Sequence, residues 1–306
     1  QQLRDLPAVS RGVRKSGLTM APESGSERLR RVINKNITQD DLLHGAEAAF
    51  REGWKTIKFY MMIGLPTEND QDIQESANLL NRIAGMARDM KKKCTIKVTV
   101  SLFVPKAFTP FQWEPMATRE ELEHRRNLLK SLIRSRDIKL KFHGYGESWL
   151  EALMSRGDRR LGAVILHAWK HGARFDAWGE GFKRELWDAA LAAHSLDPHF
   201  YIHRERGKDE VLPWDMVSVG VNKLTLWDER VRSRLEEYTK DCSGHTPGCI
   251  ACGVDPLTCR TGIDQEADEM KPEYQKRASV RYAPEFKARL AQKTELAAAA
   301  QRLGLK

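Results

Sequence analysis

The sequence predicts an α/β fold built on parallel strands, and three observations carry that expectation. Short runs rich in apolar and β-branched residues alternate with amphipathic helical patterns through the first 140 or so residues. One of those runs, TIKFYMMIG at 56–64, is apolar for most of its length, which suits a strand buried on both faces. The connections are each long enough to hold a helix. Right-handed crossovers of that kind place every strand's carboxyl end on one side, where such sheets and barrels carry their chemistry.

The elements follow in order. GLTMAP at 17–22 reads as a strand that ends in a Gly/Ser turn, and SGSERLRRVI then opens a helix with Ser24 or Ser26 as its N-cap. Thr38 starts a second helix in T-Q-D-D, with Leu42, Leu43, Ala46, Ala49 and Phe50 as its apolar stripe and Gly53 as its stop. After the strand at 56–64, Pro66 and Asn69 turn the chain into a helix over 70–90. A third strand, TIKVTVSLFV at 95–104, is followed by the loop PKAFTPFQWEP, a helix at 118–136 and a fourth strand-like run, IKLKFH at 138–143. From about 146 the pattern turns helical, near 147–156, 158–171, 179–193 and 226–239. It is rich in tryptophan, which reads as a second core packed on the first. The expected divisions are 1–145 for the sheet, 146–240 for the Trp-rich helices, 241–262 for a cysteine segment and 263–306 for a charged helical or disordered tail.

Composition sets bounds. Apolar residues make up 41% of the 306 and charged residues 30%, so a packed core is expected rather than disorder. The net charge of +9 favours anionic partners such as RNA. The basic residues gather at 91–93, 125–141 and 156–160, a distribution that solvated helix faces also produce. No apolar run reaches the roughly 20 residues of a membrane helix. The first residues hold no apolar signal core, so a cytoplasmic protein is expected. A chain that starts at Gln1 without an initiator methionine is expected to be a fragment of something longer.

Two strand ends draw attention. PESGSERL at 22–29 has glycine and serines that leave backbone N–H groups free at a helix start, where anions are favoured. Glu23 can accept hydrogen bonds from a ribose or an ammonium group there; a capped helix with Glu23 in a salt bridge fits equally well. At IGLPTEND, 63–70, Gly64 permits close approach of a ligand, Pro66 stiffens the turn and Glu68 supports the next helix start. An ordinary strand–loop–helix junction would look the same. Lesser candidates are His143 as an acid or base at the sheet's mouth, the arginines of 155–160 as a phosphate site or a helix junction capped by Asp158, and Asp176, Trp178 and Glu180 as pocket lining or a capped helix start.

Of five cysteines, Cys94 reads as a plain buried thiol. Cys242, Cys249, Cys252 and Cys259 fall within 18 residues at the spacing C-x6-C-x2-C-x6-C. That clustering reads as metal ligation in a reducing compartment rather than a disulfide scaffold. Four thiolates fit either tetrahedral zinc or an Fe–S cluster, and spacing does not separate the two.

The segments Glu23-Ser24-Gly25-Ser26-Glu27-Arg28 and Gly64-Leu65-Pro66-Thr67-Glu68-Asn69, about 40 residues apart, together resemble radical S-adenosylmethionine (SAM) enzymes, in particular the branch of the methylthiotransferases. The loop from Phe103 through Trp113 matches the end of that barrel's sixth strand. SRGDRRLGAVI and LPWD resemble an uncharacterised subfamily that often carries a cobalamin-binding-like domain ahead of the barrel. The resemblance implies the C-terminal portion of a parallel (βα)6-type partial TIM barrel. It implies that Glu23, Ser24 and Ser26 contact the SAM ribose or methionine moiety and that Arg28 meets its carboxylate. Met62, Ile63 and Gly64, with Glu68 in the same motif, would line the adenine side, and Val104 would close the pocket. The implied cofactors are SAM, a [4Fe–4S] cluster and, in the full-length protein, cobalamin; the substrate is unknown, with RNA as one candidate. The family's C-x3-C-x2-C does not occur in this sequence, so the chain by itself is expected not to cleave SAM. Two readings stand beside the enzyme: a zinc-containing RNA- or protein-binding module with a degenerate half barrel, and a scaffold subunit that completes another chain's barrel.

Overall fold

The computed structural model describes residues 17–239 and Cys252. The chain divides into two compact units. The first runs through Val217 and includes Glu236–Tyr238; the second takes Ser218–Leu235 and the residues from Thr239 onward. The boundary expected at 145 falls inside the first unit. Cys242, Cys249, Cys259 and the 263–306 tail lie outside the described residues.

The first unit opens with β1 (Leu18–Glu23), α1 (Glu27–Val32), α2 (Gln39–Arg51), β2 (Thr56–Ile63), α3 (Asp70–Asp89), β3 (Thr95–Leu102), α4 (Arg119–Leu132) and β4 (Ile138–Phe142). Its strands form one parallel sheet in the order β1-β2-β3-β4. Sequential order means that the crossovers all advance in one direction and lay their helices on one face, as in a barrel wall. A doubly wound sheet would reverse. Side-chain caps explain the starts of α2, α3 and α4, and of these only Thr38 was predicted. Thr38 with Asp41, Asn69 with Asp72 and Thr118 with Glu121 each form a reciprocal capping box. Helix α4 stops at Leu132, short of the expected 136. The α3 residue Asn81 seizes its end, donating to the Leu132 carbonyl at 2.8 Å and accepting from the Arg134 N–H at 2.9 Å.

Beyond the sheet come α5 (Tyr145–Arg156), α6 (Leu161–Lys170), α7 (Arg184–Ala193) and the short α8 (Pro198–Ile202), which the periodicity did not predict. Asp158, expected as a cap, accepts from the Arg160 N–H at 2.9 Å and so stands one turn before the helix, whose N-cap is Arg160. Trp149, Trp187 and Tyr201 join the same buried cluster as the sheet residues Phe59, Val98 and Val100. The tryptophan-rich helices therefore extend one core. In the second unit, α9 (Lys223–Arg234) is capped by Asn222, whose N–H donates to the Cys252 carbonyl at 2.7 Å.

The sheet is covered on one face, which corrects the expectation that 56–64 is buried on both. Ile57, Phe59, Met61 and Ile63 are buried toward the helices, whereas Lys58 and Tyr60 are exposed. Strand periodicity alone produces this split. On the open face Thr19, Lys58, Lys97 and Lys139 stand in register across four strands, and Lys141 follows in the next row beside Thr99 and Tyr60. Among the described residues none of these lysines makes an ion pair. Adjacent parallel strands lie about 4.8 Å apart, so the three lysines of the first row repel one another. Lys97→Thr is expected to raise the chain's stability in urea by about 0.5 kcal/mol at low salt, with the gain shrinking in 1 M NaCl. A stability loss, or a gain indifferent to salt, would contradict that account.

Candidate functional site

The carboxyl ends of β1 and β2 are neighbours, and the two turns that leave them are locked together. Between Met20 and Glu23 the register with β2 shifts, and Glu23 adopts a left-handed conformation with φ of 65°. Such a conformation is uncommon outside glycine and is retained where the surroundings over-determine it. The Glu23 carboxylate lies 3.3 Å from Lys35 and is partly exposed. After it, Ser26 caps α1, accepting from the Leu29 N–H, and Ser24 Oγ accepts from the Ser26 N–H at 3.1 Å. The Gly25 N–H donates to Ser76 Oγ at 3.0 Å. The Gly25, Ser26 and Leu29 N–H groups are thus committed within the protein. Short polar side chains at a helix start bond the nearest orphan donors first.

Asp72, at the third position of α3, ties the two turns. It accepts from Ser26 Oγ at 2.6 Å, from Arg28 Nε at 3.1 Å and Nη2 at 2.5 Å, and from the Asn69 N–H at 2.9 Å. Arg28 Nη2 also donates to the Thr67 carbonyl at 2.8 Å. Sequence reasoning did not single out Asp72 or Ser76. The signal was present in Asn69-x-x-Asp72 and in the four-residue spacing of Asp72 and Ser76, which puts both on one side of α3. Arg28, assigned by resemblance to a ligand carboxylate, is here paired with a protein carboxylate.

In the second turn, Gly64 has φ of +86°, and a Cβ there would sit 2.8 Å from Leu122 Cδ2. Its N–H donates to Glu68 Oε2 at 2.6 Å, and Arg125 Nε lies 3.2 Å from the same carboxylate. Glu68 is nonetheless so deeply buried that desolvation pushes its pKa up to about 7, overcoming the Gly64 N–H and Arg125, both of which favour the anion. The folded state therefore holds this proton more tightly than the unfolded chain does. Its contribution to stability is complete below about pH 4.5 and is lost as pH rises through 7, on the order of 3 kcal/mol in all. Glu68→Gln keeps the acceptor for Gly64 and removes the titration. In urea melts between pH 4.5 and 8, the wild type is expected to lose stability relative to this variant. Parallel pH profiles would refute the shift.

Met62 lies on the open face in register with Ser101, whereas Ile63 turns into the core because adjacent strand residues face opposite ways. Val104 is buried beyond the end of β3. His143 continues the alternation of Lys139 and Lys141, and its N–H donates to the Val100 carbonyl at 3.0 Å. With Asp176 it lines a cleft of about 690 Å³ at the end of β4. Trp178 is exposed. Cys94 is buried where β3 begins, at the opposite end of the strands from the two turns. Cys252 belongs to the second unit. Among the described residues no group of three or more side chains is arranged to hold a metal ion, and no helix is long and apolar enough to cross a membrane.

The loop after β3 is held by a buried arginine. Arg156, 1% exposed, donates to the carbonyls of Tyr201 at 2.7 Å, Arg204 at 2.7 Å, Gln112 at 3.4 Å and Glu114. Burial, and then the neighbouring Arg206 and Arg204, lower its pKa to about 9. It serves as a structural clamp that no motif announced.

An uncharacterized protein of Methanocaldococcus jannaschii is 28% identical over 150 residues, covering 48% of this chain. The match takes in 32% of that protein, so the chain spans about a third of its relative's length. No solved structure matches the chain. The family model of the radical SAM superfamily matches residues 8–80, a stretch that contains both turns and the strands that deliver them. In residues 8–80, then, this chain is similar to the radical SAM superfamily.

Proposed function

We propose that this chain provides one half of a SAM-binding barrel in a radical SAM enzyme. The observation that carries the reading is the pair of turns, 23–28 and 64–69, fastened side by side by Asp72 at one rim of a sequentially ordered parallel sheet. SAM, when bound with a [4Fe–4S] cluster, supplies a 5′-deoxyadenosyl radical that abstracts hydrogen from a substrate.

The residues fit the nucleoside part of that cofactor. The part-exposed Glu23 carboxylate, fixed by its left-handed backbone, can accept from ribose hydroxyls or an ammonium group beside Lys35. Met62 offers an apolar wall on the open face. Ser24, Ser26, Gly25 and Arg28 hold the frame. The described residues do not fit the cluster: Cys94 sits at the far end of the sheet, and the sequence lacks C-x3-C-x2-C. On this reading the SAM-binding cluster is not held by the described residues. The thiolates of Cys242, Cys249, Cys252 and Cys259 would hold a second metal, zinc or Fe–S.

Saturation-transfer NMR of the 306-residue chain with millimolar SAM tests the reading. Transfer to the adenine and ribose protons is expected, and Glu23→Ala or Met62→Glu should reduce it at least tenfold. A folded wild-type chain that transfers nothing overturns it. Anaerobic metal analysis beside a Cys249→Ala, Cys252→Ala double variant reads the cysteine segment. Loss of one zinc, or of iron with sulfide, is expected on substitution.

A further inference from the structure

Two residues that entered as separate minor candidates, His143 and Asp176, meet in the cleft at the end of β4. Lys141 and His143 come from the open face of β4, Glu147 from the first turn of α5 and Asp176 from the loop before α7, with Phe142 and Met154 as apolar lining. The cleft's volume of about 690 Å³ is that of a small-molecule site.

The charged groups here are unequally occupied. Glu151 is paired with Lys106, and Asp176 accepts the Trp187 indole N–H at 3.1 Å. Glu147 and Lys141, of opposite sign and lining the same cleft, make no ion pair with each other or with any described residue. Glu147 is also housed specifically. A Cβ on Gly144 would come within 2.1 Å of its Oε2, and one on Gly179 within 2.8 Å of its Oε1. Two glycines from separate loops thus leave room for this carboxylate. A part-buried anion and an exposed cation that line one cleft with apolar residues are complementary to a ligand that carries both charges and an apolar group.

We propose that this cleft is the substrate-side subsite and takes an α-amino acid with an apolar side chain, its ammonium on Glu147 and its carboxylate on Lys141. As a substrate subsite it rests on the SAM-barrel reading; as a binding site it does not. His143, which lines the same cleft, is placed to hydrogen-bond the ligand.

The test is calorimetry on the 306-residue chain with L-leucine, N-acetyl-L-leucine, L-leucinamide and tripolyphosphate. Leucine is expected to bind, and each capped form to bind at least tenfold more weakly, because each loses one charge-assisted contact. Glu147→Gln should weaken leucine and leucinamide at least tenfold and leave N-acetyl-leucine unchanged; Lys141→Gln should do the converse. If Glu147→Gln does not fold, Gly179→Ala displaces the same carboxylate and should reproduce its pattern. No leucine binding, equal binding of the capped forms, or tighter binding of tripolyphosphate overturns the proposal. SAM binding measured beside it separates the two readings. Transfer to SAM without leucine binding sinks the cleft alone, whereas leucine binding without SAM binding sinks the barrel reading alone.

Discussion

Gly25→Ala is expected to cost about 3 kcal/mol or more, enough to leave a domain of ordinary stability close to unfolding. The added Cβ would lie 2.3 Å from the Ser76 Cα and 2.9 Å from its N. Both are backbone atoms, so no rotamer change relieves the contact and α1 must move away from α3. That movement also breaks the Gly25 N–H bond to Ser76 Oγ and strains the Ser26 and Arg28 bonds to Asp72. Two further measurements identify the cause. Ser76→Ala alone should cost only about 1 kcal/mol, the worth of a hydrogen bond. Ser76→Gly placed in the Gly25→Ala background should not restore stability, because the collision is with the main chain. Restoration would show that the side chain, not the backbone, sets the distance. The glycine of this turn is thus required by helix packing.

Arg156→Met is expected to destabilise by about 3–5 kcal/mol, although it places an apolar side chain of similar length in a buried site. Methionine would fill much of the volume but leave buried carbonyls of Gln112, Glu114, Tyr201 and Arg204 without their donor, and an orphaned buried acceptor costs about 1–3 kcal/mol. Arg156→Lys should recover only part of the loss, because an ammonium is a point donor and cannot span the fan of a guanidinium. Urea denaturation of the two variants decides the matter. A methionine variant within 1 kcal/mol of wild type would mean that water or backbone adjustment replaces the clamp. These carbonyls belong to the loop after β3 and to the segment around α8, so hydrogen exchange in both should quicken with the loss.

Much of the first unit was legible in the sequence because its signals are local. Thr38-x-x-Asp41 announced α2, and the β2 and β3 runs lay within a residue or two of where they form, since periodicity and capping act over three or four positions. Errors came where a distant residue intervened. Asn81 truncates α4 from another helix, and the five-residue α8 is too short to show a period. The choice between Ser24 and Ser26 as the cap of α1 was undecidable locally. Ser26 is the cap, and it also reaches Asp72, while Ser24 supports it.

The sequence by itself determined the order of the sheet's strands and helices, the parallel sense of the sheet and the two strand-end turns, which follow from residue spacing within elements and from the length of the connections between them. Only the tertiary structure decided what those turns are made of. Gly25, Ser26 and Arg28 meet Ser76 and Asp72 across 44 to 51 residues, and Glu147 meets Gly179 across two loops. Such contacts depend on how packed helices bring distant side chains to one point, and no local period or cap encodes that distance. The same holds for the row of lysines. Each sits at an ordinary exposed strand position, and their alignment exists only once three strands are in register.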